Sequence, residues 1–528
     1  MASPASSKNG DGVALSSLSP VRSHSAMPPA TLKRNITTLG IIGLGMSICN
    51  GWAALSSTIV VGLSQGGTVV ILYGLIGVAL INVFLALSLG ELASAYPSAG
   101  GQYVWSAILA GPRARRPVSF AVGFITIFSW LTITASVVII LSEVVFALVQ
   151  QYHPGFEIQR WHVYTIYLLT NWSSVAYNIF ASSRAAPYIG KAFFYFSTLV
   201  FLVIVIVVVS CAPSYNSNEF VWATYTNDIG WSSSFVVVMT GLVNPAYLYA
   251  GLDGCVHVAE EALRPERVVP LALLSTVGMS FFTGFVISLA LIYCVQDLDA
   301  ALASELPFLE IIVQATNSRA CGVVLMVAFL VCLWVSANSV HHATSRLIWS
   351  FARDNGLPFS PRIARISPTF HVPILPLLLS GVGVTILGAL YCASTTAYSS
   401  IIGCCIILGN ISFAVPAVQM LFCGGRGRIK QDRWMRLGWL GVVANVVTVA
   451  FCALTTVMWL FPLEPNPAPA DMNYGAAVLG GMALIALVDW FIVRKDFHGP
   501  TSDDLFSALE GDAAAATAAE GGEGVAEK

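Results

Sequence analysis

Charge is what this 528-residue sequence has least of. Asp, Glu, Lys and Arg together make up 10% of it, where a soluble globular domain carries roughly 25%. Ser and Thr do not take their place; hydrophobic residues do, at 56% of the chain. An ordinary water-soluble fold is thereby excluded. Motifs of metal and nucleotide chemistry are also missing. The absence of an HExxH run argues against a metal-dependent membrane enzyme, and the absence of a GxxxxGK[ST] run argues against a pump driven by nucleotide hydrolysis. No CxxC spacing occurs among the eleven Cys, most of which lie inside apolar runs. They read as small apolar packing residues, and neither a disulfide framework, a metal site nor a cofactor is expected. The net charge of −2 comes without a basic stripe, so nucleic acid is not an expected partner. Residues 1–35 are rich in Ser, Pro and Ala and hold no apolar segment of signal-peptide type, so insertion is expected to begin with the first spanning helix.

What the chain has is long apolar runs. A run of about 20 such residues crosses a bilayer as a helix. The reading is an all-α integral membrane protein with 12 transmembrane helices, at 39–63, 67–94, 118–143, 161–181, 188–211, 233–259, 268–294, 319–350, 372–391, 396–422, 437–460 and 473–494. An even number of spans puts both termini on one side. With that side cytoplasmic, all of the 25 Lys and Arg except Arg160 and Arg319 face inward, while Glu219, Asp228, Asp297, Asp299, Glu464 and Asp471 face outward. This is the asymmetry that the positive-inside rule demands. A disordered cytoplasmic tail is expected over 1–35, a transporter domain over 36–495 and a low-complexity cytoplasmic tail over 496–528, in which Asp503–Leu509 is the one segment with helical character.

Two spans differ from the rest. The first contains Gly43–Trp52, reading GLGMSICNGW, and the sixth contains Val243–Gly254, reading VNPAYLYAGLDG. Gly and Pro interrupt helices and free backbone polar groups. In hydrocarbon such groups are tolerated only where they face protein or a wet cavity. Interruptions at positions 1 and 6 match across two five-helix repeats and point to a binding site at the midplane. The candidate substrate residues are Ser47, Asn50, Gly51 and Trp52 on the first span and Asn244, Tyr247, Tyr249, Gly251 and Asp253 on the sixth. A carboxylate inside a span is a functional hypothesis by default, and aromatic faces beside it suit an ammonium group. The plainer alternative is two packing kinks, with Asp253 protonated or bracing loose backbone. His341 and His342 are candidates for coupling through titration near neutral pH, the alternative being hydrogen-bonded interior residues. Glu260 and Glu261 are read as gate residues able to pair with Arg353 or Arg346, or else as a solvated helix end.

Several short stretches give these features a family context. They are Gly90-Glu91-Leu92-Ala93-Ser94 followed by Pro97-Ser98-Ala99-Gly100-Gly101-Gln102-Tyr103, and Gly251-Leu252-Asp253 through His257 to Glu260-Glu261. Others are Pro307-Phe308-Leu309-Glu310, Ser345-Arg346, Phe351-Ala352-Arg353-Asp354 and Gly356-Leu357-Pro358. In this order and spacing the chain resembles the amino acid–polyamine–organocation superfamily from about residue 36 to 495, and within it the fungal amino acid/choline transporter family of GABA and choline permeases. The resemblance implies a leucine-transporter-type fold, a 5+5 inverted repeat with broken helices 1 and 6 plus two further helices. It implies alternating access around those two helices. It also implies that Tyr247, four positions before Gly251, covers the substrate, and that Lys191 stands where some proton-coupled relatives carry a Lys in place of a sodium ion; Lys191 also reads as a helix-end residue snorkelling to the interface.

The expected function is secondary active transport of small amines or amino acids, such as GABA, choline or a related alkaloid metabolite, with protons as a candidate coupling ion and the lipid bilayer as the surroundings. The alternative is a non-transporting sensor or a channel of the same fold. No enzyme activity is expected. The expected location is the plasma membrane, with a vacuolar or other internal membrane as the alternative.

Overall fold

The computed structural model describes Leu32, Arg34 and residues 36–469 and 471–500, with residues 60, 61, 182–187 and 189 described as backbone only. The expected tails, including Asp503–Leu509, lie almost wholly outside the described residues. Within them the chain is helical, and pairing of extended backbone is limited to two isolated bridges.

The helices that matter here are α1 (Thr38–Cys49), α2 (Gly51–Ser57), α3 (Gly67–Ala95), α4 (Gln102–Leu109), α5 (Arg115–Tyr152), α6 (Arg160–Phe180) and α7 (Ser182–Cys211). They continue with α8 (Ser234–Gly241), α9 (Val243–Tyr247), α10 (Gly254–His257), α11 (Pro265–Cys294), α12 (Pro307–Thr316) and α13 (Arg319–Arg353). The last four are α14 (Ile374–Ala393), α15 (Thr395–Phe422), α16 (Trp439–Met458) and α17 (Gly475–Val493). At about 1.5 Å per residue, the 29 residues of α3 and the 38 of α5 exceed the ~30 Å hydrocarbon core.

Ten described helices are long and apolar enough to cross a membrane. Two of the twelve expected spans fall short, for different reasons. α6 has the length, at 21 residues, but Asn171, Asn178 and three Tyr lower its apolar character. Those groups act as glue between helices. Asn171 Nδ2 donates to Gly381 O at 2.9 Å, Asn178 Nδ2 to Asn338 O at 3.0 Å, and Tyr167 OH to Val384 O at 2.8 Å. The sixth expected span is apolar enough but has no continuous helix; its residues are divided among α8, α9, a run of turns and α10.

The outer face carries the apolar surface that lipid requires. On α17, Leu484, Ile485, Val488, Phe491 and Ile492 are each more than half exposed. In water they would form a patch that monomeric soluble proteins avoid. Large aromatics fill the interior instead, with Trp52, Trp105 and Trp130 at most 1% exposed. α4, which the span boundaries leave in a connection, is folded into the protein, its Gln102, Tyr103 and Trp105 fully buried.

Helices 1 and 6 are joined at both ends. At the end that carries the Arg-rich connections, Ile36 N donates to Glu261 O at 3.1 Å and Leu263 N to Ile36 O at 3.0 Å. At the opposite end Gln65 bridges Asn227, and Gly66 N donates to Thr226 O at 3.0 Å.

Candidate functional site

The first helix breaks at Asn50, whose φ of 35° and ψ of 55° are left-handed, a region Asn visits more readily than most residues. Neutral polar groups hold the break. Asn50 Nδ2 donates to Ser336 Oγ on α13 at 3.2 Å, and Asn50 Oδ1 accepts from Ser197 Oγ on α7 at 3.3 Å. One turn earlier, the hydroxyls of Ser47 and Ser339 are 2.7 Å apart. Trp52 Nε1 donates to Ser197 Oγ at 3.1 Å, and its ring packs on Phe201 and Phe329. Gly51 faces Ser280 of α11 and Leu248 so closely that a Cβ would lie 2.8 Å from Ser280 Cβ.

The sixth helix breaks over Leu248–Asp253. Its backbone does not go unsatisfied there. Tyr249, Ala250, Leu252 and Gly254 donate their N–H groups to carbonyls three residues back, replacing the α pattern with a string of turns. Gly251 takes φ of +77°, and a Cβ on it would meet Ile48 of α1 at 3.0 Å. That contact and the approach of Gly51 to Leu248 are where the two breaks touch. Asn244 Nδ2 donates to Thr58 O and Thr58 Oγ1, both at 2.7 Å, tying the helices beyond the breaks. The Tyr247 hydroxyl is 2.7 Å from Ser136 Oγ on α5.

Asp253 is 2% exposed and stands at the centre of a polar cluster. Its Oδ2 accepts from Gln102 Nε2 at 2.6 Å and from Trp130 Nε1 at 3.2 Å, and lies 3.0 Å from His257 Nε2. His257 Nδ1 is 2.8 Å from Ala99 O, and the imidazole stands edge-on to Trp130 with ring centroids 5.2 Å apart.

Of the nine candidate substrate residues, three share a cavity. Tyr249, Gly251 and Asp253 line a space of about 30 Å³ together with Asn82, Ser129 and Asn410. The Tyr249 hydroxyl is buried there without a hydrogen-bond partner. Ser47 instead lines a larger, mostly apolar cavity of about 300 Å³ between α1, α6, α7 and α13, with Asn338, Ser339 and His342. Trp52 and Tyr247 line neither, so the structure does not gather the aromatic rings of both breaks around Asp253.

The coupling candidates also separate. Glu261 Oε1 accepts from Arg346 Nε at 2.7 Å and lies 3.1 Å from His342 Nε2. Glu260 holds Arg353 through two hydrogen bonds of 2.9 and 3.0 Å and accepts from Ala99 N at 3.1 Å. Burial pushes the Glu261 carboxyl up, but Arg346 and His342 outweigh it and hold the group down at about 2. Burial likewise raises Glu260, and Arg353 overcomes it to leave the carboxyl below its ordinary value. Both stay ionised at neutral pH. His341 Nδ1 lies 2.9 Å from Ser380 Oγ, away from this cluster, and its buried Nε2 has no partner. Lys191, half-buried on α7, follows the cavity-lining Gly190 and lines neither cavity itself.

The sequence reading did not single out Gln102 or Trp130 as site residues, and it named His257 only within the stretch from Gly251 to Glu261. The i,i+4 spacing of Asp253 and His257 is the available signal, since such residues share a helix face. A third cavity, about 330 Å³, lies at the end opposite the Arg-rich connections, between α5 and α12, and is lined by Glu305, Glu310 and Arg319. The string Gly62-Leu63-Ser64-Gln65-Gly66 has GxSxG spacing. It ends a helical segment, Ile59–Ser64, rather than following a strand, and so lacks the strand-to-helix turn that exposes a hydrolase nucleophile.

The sequence matches the family model described as Amino acid permease over residues 36–484. It is 34% identical to a choline transporter of Saccharomyces cerevisiae, over 88% of this chain and 83% of that protein. It is 30% identical to a swainsonine transporter of Arthroderma benhamiae, over 88% and 92% of the two chains. Against the GABA-specific permease of Saccharomyces cerevisiae the identity is 26%, over 91% and 86%.

Proposed function

This chain belongs to the amino acid permease family, and on that premise we propose that it is a secondary transporter of small amines or amino acids that works by alternating access around the breaks in helices 1 and 6. The observation that carries this reading is the junction of the breaks. Gly251 meets Ile48 where both helices are interrupted, and a buried carboxylate stands two residues further on. Counting α6 and the broken sixth helix as spans gives twelve, arranged as a 5+5 inverted repeat with two helices added. The Arg-rich end is then cytoplasmic, as are both termini.

Asp253 supplies the negative charge for a substrate ammonium, and Tyr249 lends the same cavity an unused hydroxyl. In the present conformation that cavity, about 30 Å³, has room for about one or two waters. A substrate of choline size enters only after helices 1 and 6 move apart. Toward the Arg-rich end they are held to each other by the Ile36–Ala262 bridge, and helix 6 is held to α13 by the Glu260–Arg353 and Glu261–Arg346 pairs. Toward the opposite end, where the cavity of Glu305 and Glu310 lies, helices 1 and 6 are held by neutral hydrogen bonds. These are the two gates of the proposed cycle. The acidic outer cavity raises the local concentration of cationic substrate.

A panel of amines and amino acids, among them choline, GABA and basic alkaloids, tests the reading. Members that raise the melting temperature of the purified protein are expected to enter proteoliposomes as labelled compounds. Stabilisation without uptake would make the chain a sensor, and no stabilisation by any member would remove the amine and amino acid assignment.

A further inference from the structure

His257 and Asp253 are close enough to fix how many protons they hold. The Ala99 carbonyl can only accept, so His257 Nδ1, 2.8 Å from it, carries a hydrogen. On the other side of the ring, Nε2 lies 3.0 Å from Asp253 Oδ2. Two lone pairs would repel at that distance. One further proton therefore sits between them, on the imidazole as an ion pair or on the carboxyl as a neutral pair. The Gln102 amide and the Trp130 indole also donate to Oδ2, which suits the ionised carboxylate.

We propose that Asp253 and His257 form a shared one-proton site, and that a bound substrate cation displaces that proton. The proposal rests on the transporter reading for its cation and on geometry alone for its proton. With the proton present, the pair is neutral overall. A cation entering beside Asp253 would leave a buried net charge of +1, which a low-dielectric site opposes. The balanced alternative is that His257 Nε2 gives its proton to water in the adjoining cavity. The ring remains as the neutral Nδ1–H tautomer, and the substrate ammonium takes over the carboxylate. No covalent bond other than N–H breaks.

The surroundings leave this role to the pair. α1 contributes the buried thiol of Cys49 and α10 that of Cys255. α4 and α5 contribute Gln102 and Trp130, which do not titrate. The phenol of Tyr249 lines the same cavity. From α13, Arg353 and Arg346 are each engaged with a carboxylate, and His342 faces Glu261. Ala99 connects the site to one of these ion pairs. Its carbonyl accepts from His257 while its N–H donates to Glu260, the partner of Arg353. Losing the shared proton removes the attraction that holds Nε2 to Oδ2, and the Ala99 peptide carries the change to the Glu260–Arg353 gate.

The test uses the full-length protein in nanodiscs, with choline as the probe cation. Nitrogen-15 spectra of histidine-labelled protein at pH 7 are compared with those of His257→Gln to assign the ring. Without choline, His257 should show a proton on Nδ1 and a second proton bound or hydrogen-bonded at Nε2. A ring with Nδ1 bare, or with Nε2 free of any proton contact, overturns the proposal. Choline binding should release close to one proton per site in weak buffer, and its affinity should rise with pH wherever that proton is released. Binding without proton release overturns the proposal and leaves the transporter reading standing. Failure of choline and of the whole amine panel to bind removes the displacing cation and overturns both.

Discussion

The two interrupted helices solve the same problem with different chemistry. Around Asn50 the break is held by neutral amide, hydroxyl and indole groups, from Asn50, Trp52, Ser47, Ser197, Ser336 and Ser339. Around Asp253 it is held by a carboxylate, an imidazole, an amide and an indole. The first arrangement has nothing that titrates between pH 5 and 8. The second has the pair proposed to share a proton. On that proposal, charge-dependent selection and pH response belong to helix 6, with helix 1 as its neutral counterpart.

The sharpest way to break this contrast is to remove the charge. Asp253→Asn should reduce uptake of cationic amines to background while expression and membrane insertion stay normal, read by labelled uptake and by fluorescence-detected gel filtration. Undiminished uptake would take Asp253 out of the site. Next in size is the buried gate. Arg346→Met takes the guanidinium from Glu261 and leaves it the His342 imidazole, and breaking a buried pair from one side costs about 3–5 kcal/mol. The double variant Arg346→Met/Glu261→Gln should recover most of the lost thermal stability. A double variant no better than the single would place the loss in packing around the guanidinium.

Tyr247 ranks third. Its ring lines neither cavity in this conformation, and truncation to Ala tests the covering role that the resemblance gives it: a cation–π contact made once the helices part is worth about 2 kcal/mol, roughly 30-fold in apparent affinity. Tyr247→Phe removes only the bond to Ser136, about 1 kcal/mol. Equal losses in the two variants would shift the role to the hydroxyl. On the neutral side, Ser336→Ala should cost about 1 kcal/mol of stability and leave the pH profile of uptake unchanged. A changed profile would mean that the helix-1 break is not neutral in function.

The smallest expected effect is none. Glu261 is held down at about 2 from an ordinary value of 4.5. Its stabilising contribution is complete above about pH 4.5 and is lost as pH falls towards 2. The Glu261 contribution to thermal stability should therefore be flat from pH 5 to 8, and any pH dependence of transport there must arise from other groups. A Glu261→Gln variant whose uptake profile shifts within that window would contradict this.

The sequence made the general layout legible because lipid enforces it. Apolar runs and the one-sided placement of Arg and Lys sufficed for ten helices that meet the length and hydropathy of a span. The run 161–181 was also legible as a span, and the structure has α6 there. What its Asn171, Asn178 and tyrosines bind on α13 and α14 only the packing shows. The breaks were legible through Gly, Pro and Asn, because those residues carry local conformational costs that a single segment reveals. Neighbours across the bundle were not. Trp52 and Asp253 belong to matching breaks but point to different helices, and only tertiary packing decides that. Gln102 reaches Asp253 because α4 folds back into the protein, which hydropathy cannot signal in an eight-residue segment.

One measurement bears most directly on the claim that the break in helix 6 exchanges protons for substrate. The purified protein is placed in liposomes free of nucleotide, and labelled substrate from the panel is followed with and without an imposed pH gradient. The expected result is accumulation with the lumen acidic, none without a gradient, and expulsion when the gradient is reversed. Uptake that requires ATP, or that follows sodium and ignores pH, would contradict the account.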